Sequence, residues 1–206
     1  MDFSLDDDHV AIADAVDRVC ANFDDSYWAE RDQRHEFPWA FYAAMAEGGW
    51  LGVAIPEEYG GGGRGITECA IVLNRVAASG AAMNGSSALH LTMFGLNPVV
   101  KFGNDRLKET FLPRAATGDL HIAFGVTEPD AGTDTSRIST RAIGDGNGGF
   151  VVRGRKIWTS KALESEVCLL LARTDDANPD DPRRRFDGLS LFLVDLDPAF
   201  CDIAPI

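Results

Sequence analysis

The chain has 206 residues, 45% of them hydrophobic and 25% charged, which supports a buried core without disulfide or metal staples and excludes a disordered or fibrous polymer. Its 32 acidic against 19 basic residues give a formal charge of −13, which opposes binding to phosphate backbones, so no nucleic-acid partner is expected. Cys20, Cys69, Cys168 and Cys201 stand singly, without metal-ligand spacing, and neither a secretory leader nor a long apolar run is present, so the expectation is a cytoplasmic protein with no metal and no membrane partner.

The first predicted helix starts at Ser4, a candidate cap. Asp6, Asp7 and Asp8 lie at the positive end of its dipole, and Leu5, Ile12, Val16, Val19 and Phe23 recur on one face. Trp28 to Glu36 reads as a polar connection. A second helix is expected from Pro38 through Phe41, Tyr42 and Met45 to Gly48-Gly49, followed by a short apolar segment, Leu51 to Ile55, that Pro56 ends. Thr67 to Ala78 has the composition of a buried helix, and Ala81 to Met93 continues helically. Gly95 and Pro98 interrupt before a short run to Phe102. Asn104 then caps a helix carrying Leu107, Phe111, Leu112 and Ala115 until Gly118.

Beyond Gly118 the apolar period changes from helical to alternating. His121 to Val126, Arg137 to Ile143, Phe150 to Trp158, Val167 to Arg173 and Leu189 to Val194 read as strands, and Gly144 to Gly149 as a hairpin turn. Asp175 to Arg185 is a charged, proline-containing loop. The expected class is α+β: an all-helical domain over 1–118, then an incomplete antiparallel β-barrel-like domain over 119–206.

Two G-x-G-x-x-G patterns occur, at Gly60, Gly62, Gly65 and at Gly144, Gly146, Gly149. A dinucleotide fingerprint needs a strand before it, a helix after it and an acid about twenty residues on. Neither pattern meets that context, so they read as a surface loop and a hairpin turn. The stretch Phe124 to Asp134 is more consistent. Pro129 fixes direction, Ala131 and Gly132 remove bulk, and Thr127 and Thr133 supply hydroxyls, a combination suited either to an anionic or carbonyl-rich ligand or to a simple turn. Trp158, followed by Thr159 and Ser160, is open to a packing role or a ligand role.

The segments Asp-Phe-Ser-Leu at the start, IPEEYGGGG, VTEPDAGTD and GRKIWTSKA occur in an order and spacing that resembles the acyl-CoA dehydrogenases, flavoenzymes of fatty-acid and related acyl oxidation. The likeness extends over essentially the whole chain. It implies an N-terminal helical domain, a middle β-domain and a C-terminal helical domain, with FAD between sheet and helices. By position, the resemblance gives Phe124, Val126, Thr127, Gly132, Thr133, Trp158, Thr159 and Ser160 to the cofactor, and His90, Phe94 and again Thr133 to the acyl-CoA substrate. Thr133 stands where serine is usual, Asp130 where glycine is frequent, and Ser160 and Lys161 where threonine and asparagine are common, which puts the substrate rather than the flavin in question.

The implied reaction is α,β-dehydrogenation of an acyl-CoA thioester, with hydride passing to the flavin and electrons leaving to an electron-transfer flavoprotein. The family's proton acceptor is a carboxylate in the C-terminal domain, and the chain is expected to be the N-terminal part of such an enzyme, ending before that domain. No catalytic residue is therefore assigned, and Glu128, inside the loop motif, is not read as the base. A homo-oligomer is implied for the complete enzyme. The alternatives are a non-catalytic binding or assembly subunit, and an oxidase or monooxygenase of the same superfamily.

Overall fold

A computed structural model describes residues 4–175 and 184–206. Asp2 and Phe3 of the first motif, and residues 176–183 of the charged loop, lie outside the described residues. Internal contacts divide the chain into two compact units, one ending at His121 and the other running from Ile122 to Ile206.

The first unit is helical. Helix α1 (Asp7–Cys20) is capped by Asp6 rather than Ser4: the Asp6 carboxylate accepts from the His9 amide at 2.8 Å, leaving Asp7 and Asp8 in the first turn. The stretch read as a polar connection is helix α2 (Asp25–Arg34), capped by Asp24 and closed by His35 in the left-handed conformation at φ 52°. It has a single buried residue, Trp28, whose indole N–H donates to the Phe23 carbonyl at 3.2 Å. A helix with so narrow an apolar stripe leaves almost no periodic signal.

Helix α3 (Trp39–Glu47) follows Pro38 and ends at Gly48. A short 3₁₀ turn over Trp50–Gly52 then buries Leu51. Helix α4 (Ile66–Val76) leads through a kinked turn, Ala77–Ala81, into α5 (Ala82–Gly95). Val16 and Cys20 of α1, Trp28 of α2, Phe41 and Met45 of α3, Val72 and Val76 of α4, and Leu89 and Met93 of α5 form one buried cluster. Helix α6 (Asn97–Phe102) and helix α7 (Asp105–Thr117) complete the unit; Asn104 Oδ1 accepts from the Leu107 amide at 2.9 Å and Gly118 ends α7.

The second unit is a five-stranded sheet: β1 (Ile122–Gly125), β2 (Arg141–Gly144), β3 (Phe150–Arg153), β4 (Val167–Arg173) and β5 (Leu189–Asp195). Strand β4 is central. One edge pairs antiparallel with β5 from Val167↔Asp195 to Arg173↔Leu189. The other edge pairs parallel with β1, Ile122↔Val167 through Gly125↔Leu170, and then with β2 at Arg141↔Arg173. β3 lies beyond β2 as an antiparallel hairpin partner.

The expected succession of a helical unit and a sheet unit is present. The sheet, however, is open and mixed, not antiparallel and barrel-like. The reason is that β1 and β2 share one edge of β4 and both run parallel to it, which requires long crossover connections to β4, and only β2–β3 and β4–β5 pair antiparallel. The burial of Val167, Cys168, Leu169 and Ala172 suits such a central strand. Two strand limits also differ. Residues 137–140 precede β2 instead of belonging to it, because Asp134 caps a 3₁₀ turn over Thr135–Arg137, and β3 stops at Arg153 instead of continuing to Trp158.

Candidate functional site

The loop leaving β1 folds back on itself. The Glu128 amide donates to the Ala131 carbonyl at 2.9 Å and the Ala131 amide to the Glu128 carbonyl at 3.2 Å, so Pro129 and Asp130 form the tip of a tight turn. Gly132 and Thr133 follow in the open. The Asp134 carboxylate then accepts from the Ser136 amide and hydroxyl, at 3.2 Å and 2.6 Å, which starts the 3₁₀ turn. At the far end, the buried Arg173 guanidinium donates to the Ser136 carbonyl at 2.7 Å, the Ile138 carbonyl at 3.2 Å and the Asp187 carbonyl at 3.1 Å.

Glu128 sits under the turn, only 4% exposed. Its Oε2 accepts from the Ser139 amide and hydroxyl, both at 2.7 Å, and its Oε1 accepts from the Thr140 amide at 2.8 Å and Lys156 Nζ at 2.9 Å. Burial disfavours the carboxylate, but the bonds from Thr140, Ser139 and Lys156 outweigh it and hold the carboxyl at about 2. Lys156 Nζ also donates to the Val126 carbonyl at 3.0 Å. Burial pushes the Lys156 ammonium down from its ordinary value, and the adjacent Glu128 opposes that fall.

One residue on, the Ile157 amide donates to the Thr127 carbonyl at 2.9 Å. The two motifs are therefore joined side by side: Val126, Thr127 and Glu128 on one strand of chain, Lys156 and Ile157 on the other. Trp158 follows immediately with φ 61° and two-thirds of its surface exposed (67%). Lys161 also has a positive φ, 64°, and burial pushes its ammonium down to about 8, with Glu164 opposing.

Phe124 projects from β1 at 37% exposure between buried neighbours, Val126 and Thr127 are half-buried, and Gly132 and Thr133 occupy the open side of the turn. Thr159 is half-buried and Ser160 exposed beside Trp158. In the first unit, His90 and Phe94 lie one turn apart on α5 with ring centroids 5.8 Å apart, and His90 Nδ1 donates to the Ser87 carbonyl at 3.2 Å.

Ser139 and Thr140 carry no sequence signal of a site, and Lys156 is marked only as the residue that opens the KIWTS stretch, without its partner. The one signal was a lysine and a glutamate inside otherwise apolar or hydroxyl-rich stretches, a pattern that calls for a mutual partner. The first glycine pattern is a closed surface loop. The amides of Gly60, Gly61, Gly62, Gly63 and Arg64 donate to the carbonyls of Glu57, Pro56, Gly52, Ile55 and Val53, so none of them is available to a phosphate. A surface cleft of about 470 Å³ against this loop is lined by Glu57, Glu58 and Arg64 and shares no residue with either motif. The second pattern is the β2–β3 turn, in which the Asp145 carboxylate accepts from the amides of Asn147 and Gly149.

Residues 6–119 match the family model described as acyl-CoA dehydrogenase, N-terminal domain, and residues 123–204 match the one described as acyl-CoA dehydrogenase, middle domain. The chain belongs to the acyl-CoA dehydrogenase family. Acyl-CoA dehydrogenase FadE12 of Mycobacterium tuberculosis is 33% identical over 207 aligned residues, covering 99% of this chain and 50% of that protein. Among solved structures, a glutaryl-coenzyme A dehydrogenase–glutaryl-CoA complex aligns with TM-score 0.80 at 28% identity, over 95% of this chain and 48% of that one. PigA with FAD and proline aligns with TM-score 0.82 at 26% identity, over 95% and 49%. This acyl-CoA dehydrogenase family chain spans about half the length of the relatives it matches. Among its described residues no helix is long and apolar enough to cross a membrane, and no group of His, Cys, Asp and Glu is placed to hold a metal ion.

Proposed function

We propose that this chain binds FAD and contributes one wall of an acyl-CoA site, in a flavin-dependent α,β-dehydrogenation of acyl-CoA thioesters. The observation that carries the reading is the pairing of the two motifs through Ile157–Thr127 and Lys156–Glu128, which holds an exposed indole beside a hydroxyl-bearing turn. An exposed indole beside hydroxyl donors offers a face on which a planar ring can stack while its edge is hydrogen-bonded. Family membership and the FAD-containing structural neighbour support the choice of a flavin.

The residues present fit that group. Phe124 and Trp158 offer exposed aromatic faces, and Val126 gives an apolar flank. Thr127, Thr133, Thr159 and Ser160 supply hydroxyl donors, and Gly132 leaves the backbone of the turn open to close approach. When bound, FAD supplies two-electron acceptance, which polar donors at its ring edge favour. His90, Phe94 and Thr133 are assigned to the acyl-CoA. Glu128 is poorly suited to accept the substrate's α-proton: a carboxyl held at about 2, with four donors on its two oxygens, is a weak and occupied base. In this reading the electrons leave to an electron-transfer flavoprotein, and the complete enzyme is a cytoplasmic homo-oligomer.

The test is direct. The purified 206-residue chain is mixed with FAD, desalted and examined by visible absorption, alongside Thr127→Val and Thr133→Val. Retention of a stoichiometric flavin band, with each valine variant binding about tenfold more weakly through the loss of one hydrogen bond, supports the reading. A folded chain that retains no flavin overturns it.

A further inference from the structure

Lys156, which opens the KIWTS stretch, makes no contact that requires a flavin, yet with Glu128 it forms the point at which three separate segments converge. Its Nζ reaches the Val126 carbonyl at 3.0 Å and Glu128 Oε1 at 2.9 Å, while Glu128 in turn holds the amides of Ser139 and Thr140 ahead of β2. The side chains of Lys156 and Glu128 are 10% and 3% exposed, so this is an interior junction and not a surface ion pair. Removing one member of such a pair leaves the other to find new partners, which a tightly built interior seldom allows.

The two members are not equivalent. Glu128 has three further donors, from Ser139 and Thr140, which remain if Lys156 is removed. Lys156 has two acceptors, both on the first motif. The loss of Lys156 therefore leaves the loop after β1 anchored to the strand that follows it, and releases only the segment that carries Ile157 and Trp158.

We propose that Lys156 is a positioning residue: through its bonds to Glu128 and the Val126 carbonyl it fixes the segment bearing Trp158 against the loop bearing Thr127, and so sets the affinity of the site for the flavin. This rests on the FAD reading given above, but the mechanical part of it stands on the junction alone. The neighbouring contact that reports on it is the Ile157 amide, which donates to the Thr127 carbonyl at 2.9 Å one residue from the lysine.

The experiment uses the full chain and two readouts. Amide hydrogen exchange is measured at Ile157, with Leu170 on the central strand β4 as the internal control for folding, and FAD affinity is measured by titration. Lys156→Met should speed exchange at Ile157 about tenfold or more relative to Leu170, and weaken FAD binding by a similar factor, as expected for the loss of a bond to a charged partner. Lys156→Arg, which keeps charge and donors, should recover part of both effects. Should Lys156→Met fail to fold, Lys156→Gln, which keeps a donor for the Val126 carbonyl, is read in the same way. Unchanged exchange at Ile157 overturns the proposal whether or not the flavin binds. Faster exchange with an unchanged FAD affinity overturns its link to the site. A wild-type chain that takes up no FAD overturns the flavin reading, and the exchange at Ile157 then still decides whether Lys156 holds the two segments together.

Discussion

Lys156 Nζ lies 2.9 Å from Glu128 Oε1 in the interior of the sheet unit, joining two motifs that are 28 residues apart in the chain. The pair makes the loop's acid sensitivity predictable. Glu128 titrates at about 2 in the folded chain against an ordinary value of 4.5. A depressed carboxyl contributes stability that is present above 4.5 and is lost as pH falls toward 2, here about 3 kcal/mol by linkage. In urea unfolding at a series of pH values, Glu128→Gln should lower stability at pH 7 and show a shallower acid loss than wild type by about that amount. Parallel acid profiles for the two proteins would show that Glu128 is not held in its ionised form.

Trp158 separates stability from binding. At φ 61° its backbone lies in the left-handed region, which costs a side-chain-bearing residue about 1–2 kcal/mol, and the indole is largely exposed. Trp158→Gly relieves that strain while adding the flexibility cost of glycine, about 0.5–1 kcal/mol, so the net change in stability should stay within about 1 kcal/mol. FAD affinity should nevertheless fall at least about tenfold, the scale of one lost aromatic contact. A loss of stability well above that range in thermal unfolding would mean that the indole serves packing.

Lys161 gives the opposite pH signature to Glu128. Burial brings its folded value to about 8, below the ordinary 10.5, so the unfolded chain binds more protons between those values and stability rises with pH across that window. Lys161→Met should raise stability at pH 7 and remove that rise. The comparison of urea midpoints at pH 7, 8.5 and 10 for the two proteins checks it; identical slopes would contradict the burial of the ammonium.

Gly154, the first residue after β3, stands where the chain leaves no room for a side chain. A Cβ there would lie 2.6 Å from Thr140 Cβ and 2.7 Å from Thr140 Cα, with the Thr140 hydroxyl closer still. The chain crosses tightly over the residue whose amide holds Glu128. Gly154→Ala should cost about 1–3 kcal/mol by overpacking, read as a drop in Tm, and should loosen FAD binding with it. A variant with unchanged Tm would show that the crossing has room to relax.

Local chemistry was legible in the sequence and long-range pairing was not. Asn104, Gly118, Pro38 and the Gly144–Gly149 turn act through neighbours a few residues away, and each marks the boundary expected of it. Helix α2 escaped because Trp28 alone is buried on it, and Asp24, its cap, looks like any other acid in an acidic chain. The parallel pairing of β1 with β4 joins residues some 45 positions apart, such as Ile122 and Val167, and no period within either strand encodes its partner. The site divides the same way. The hydroxyls, Trp158 and the lysine that opens its stretch stand out as a motif, whereas Ser139 and Thr140, and the partnership of Lys156 with Glu128, become part of the site only once the fold brings their donors to Glu128.

The central claim is that the two motifs form one flavin cradle with Trp158 on its surface. It is tested most directly by titrating FAD into the full chain while following tryptophan emission, in wild type and in Trp158→Phe. Of the 4 tryptophans, only Trp158 belongs to the motifs. The account predicts a saturable quench at one FAD per chain in wild type, and loss of most of that quench in the variant. No saturable quench, or a quench of equal depth in Trp158→Phe, would contradict it.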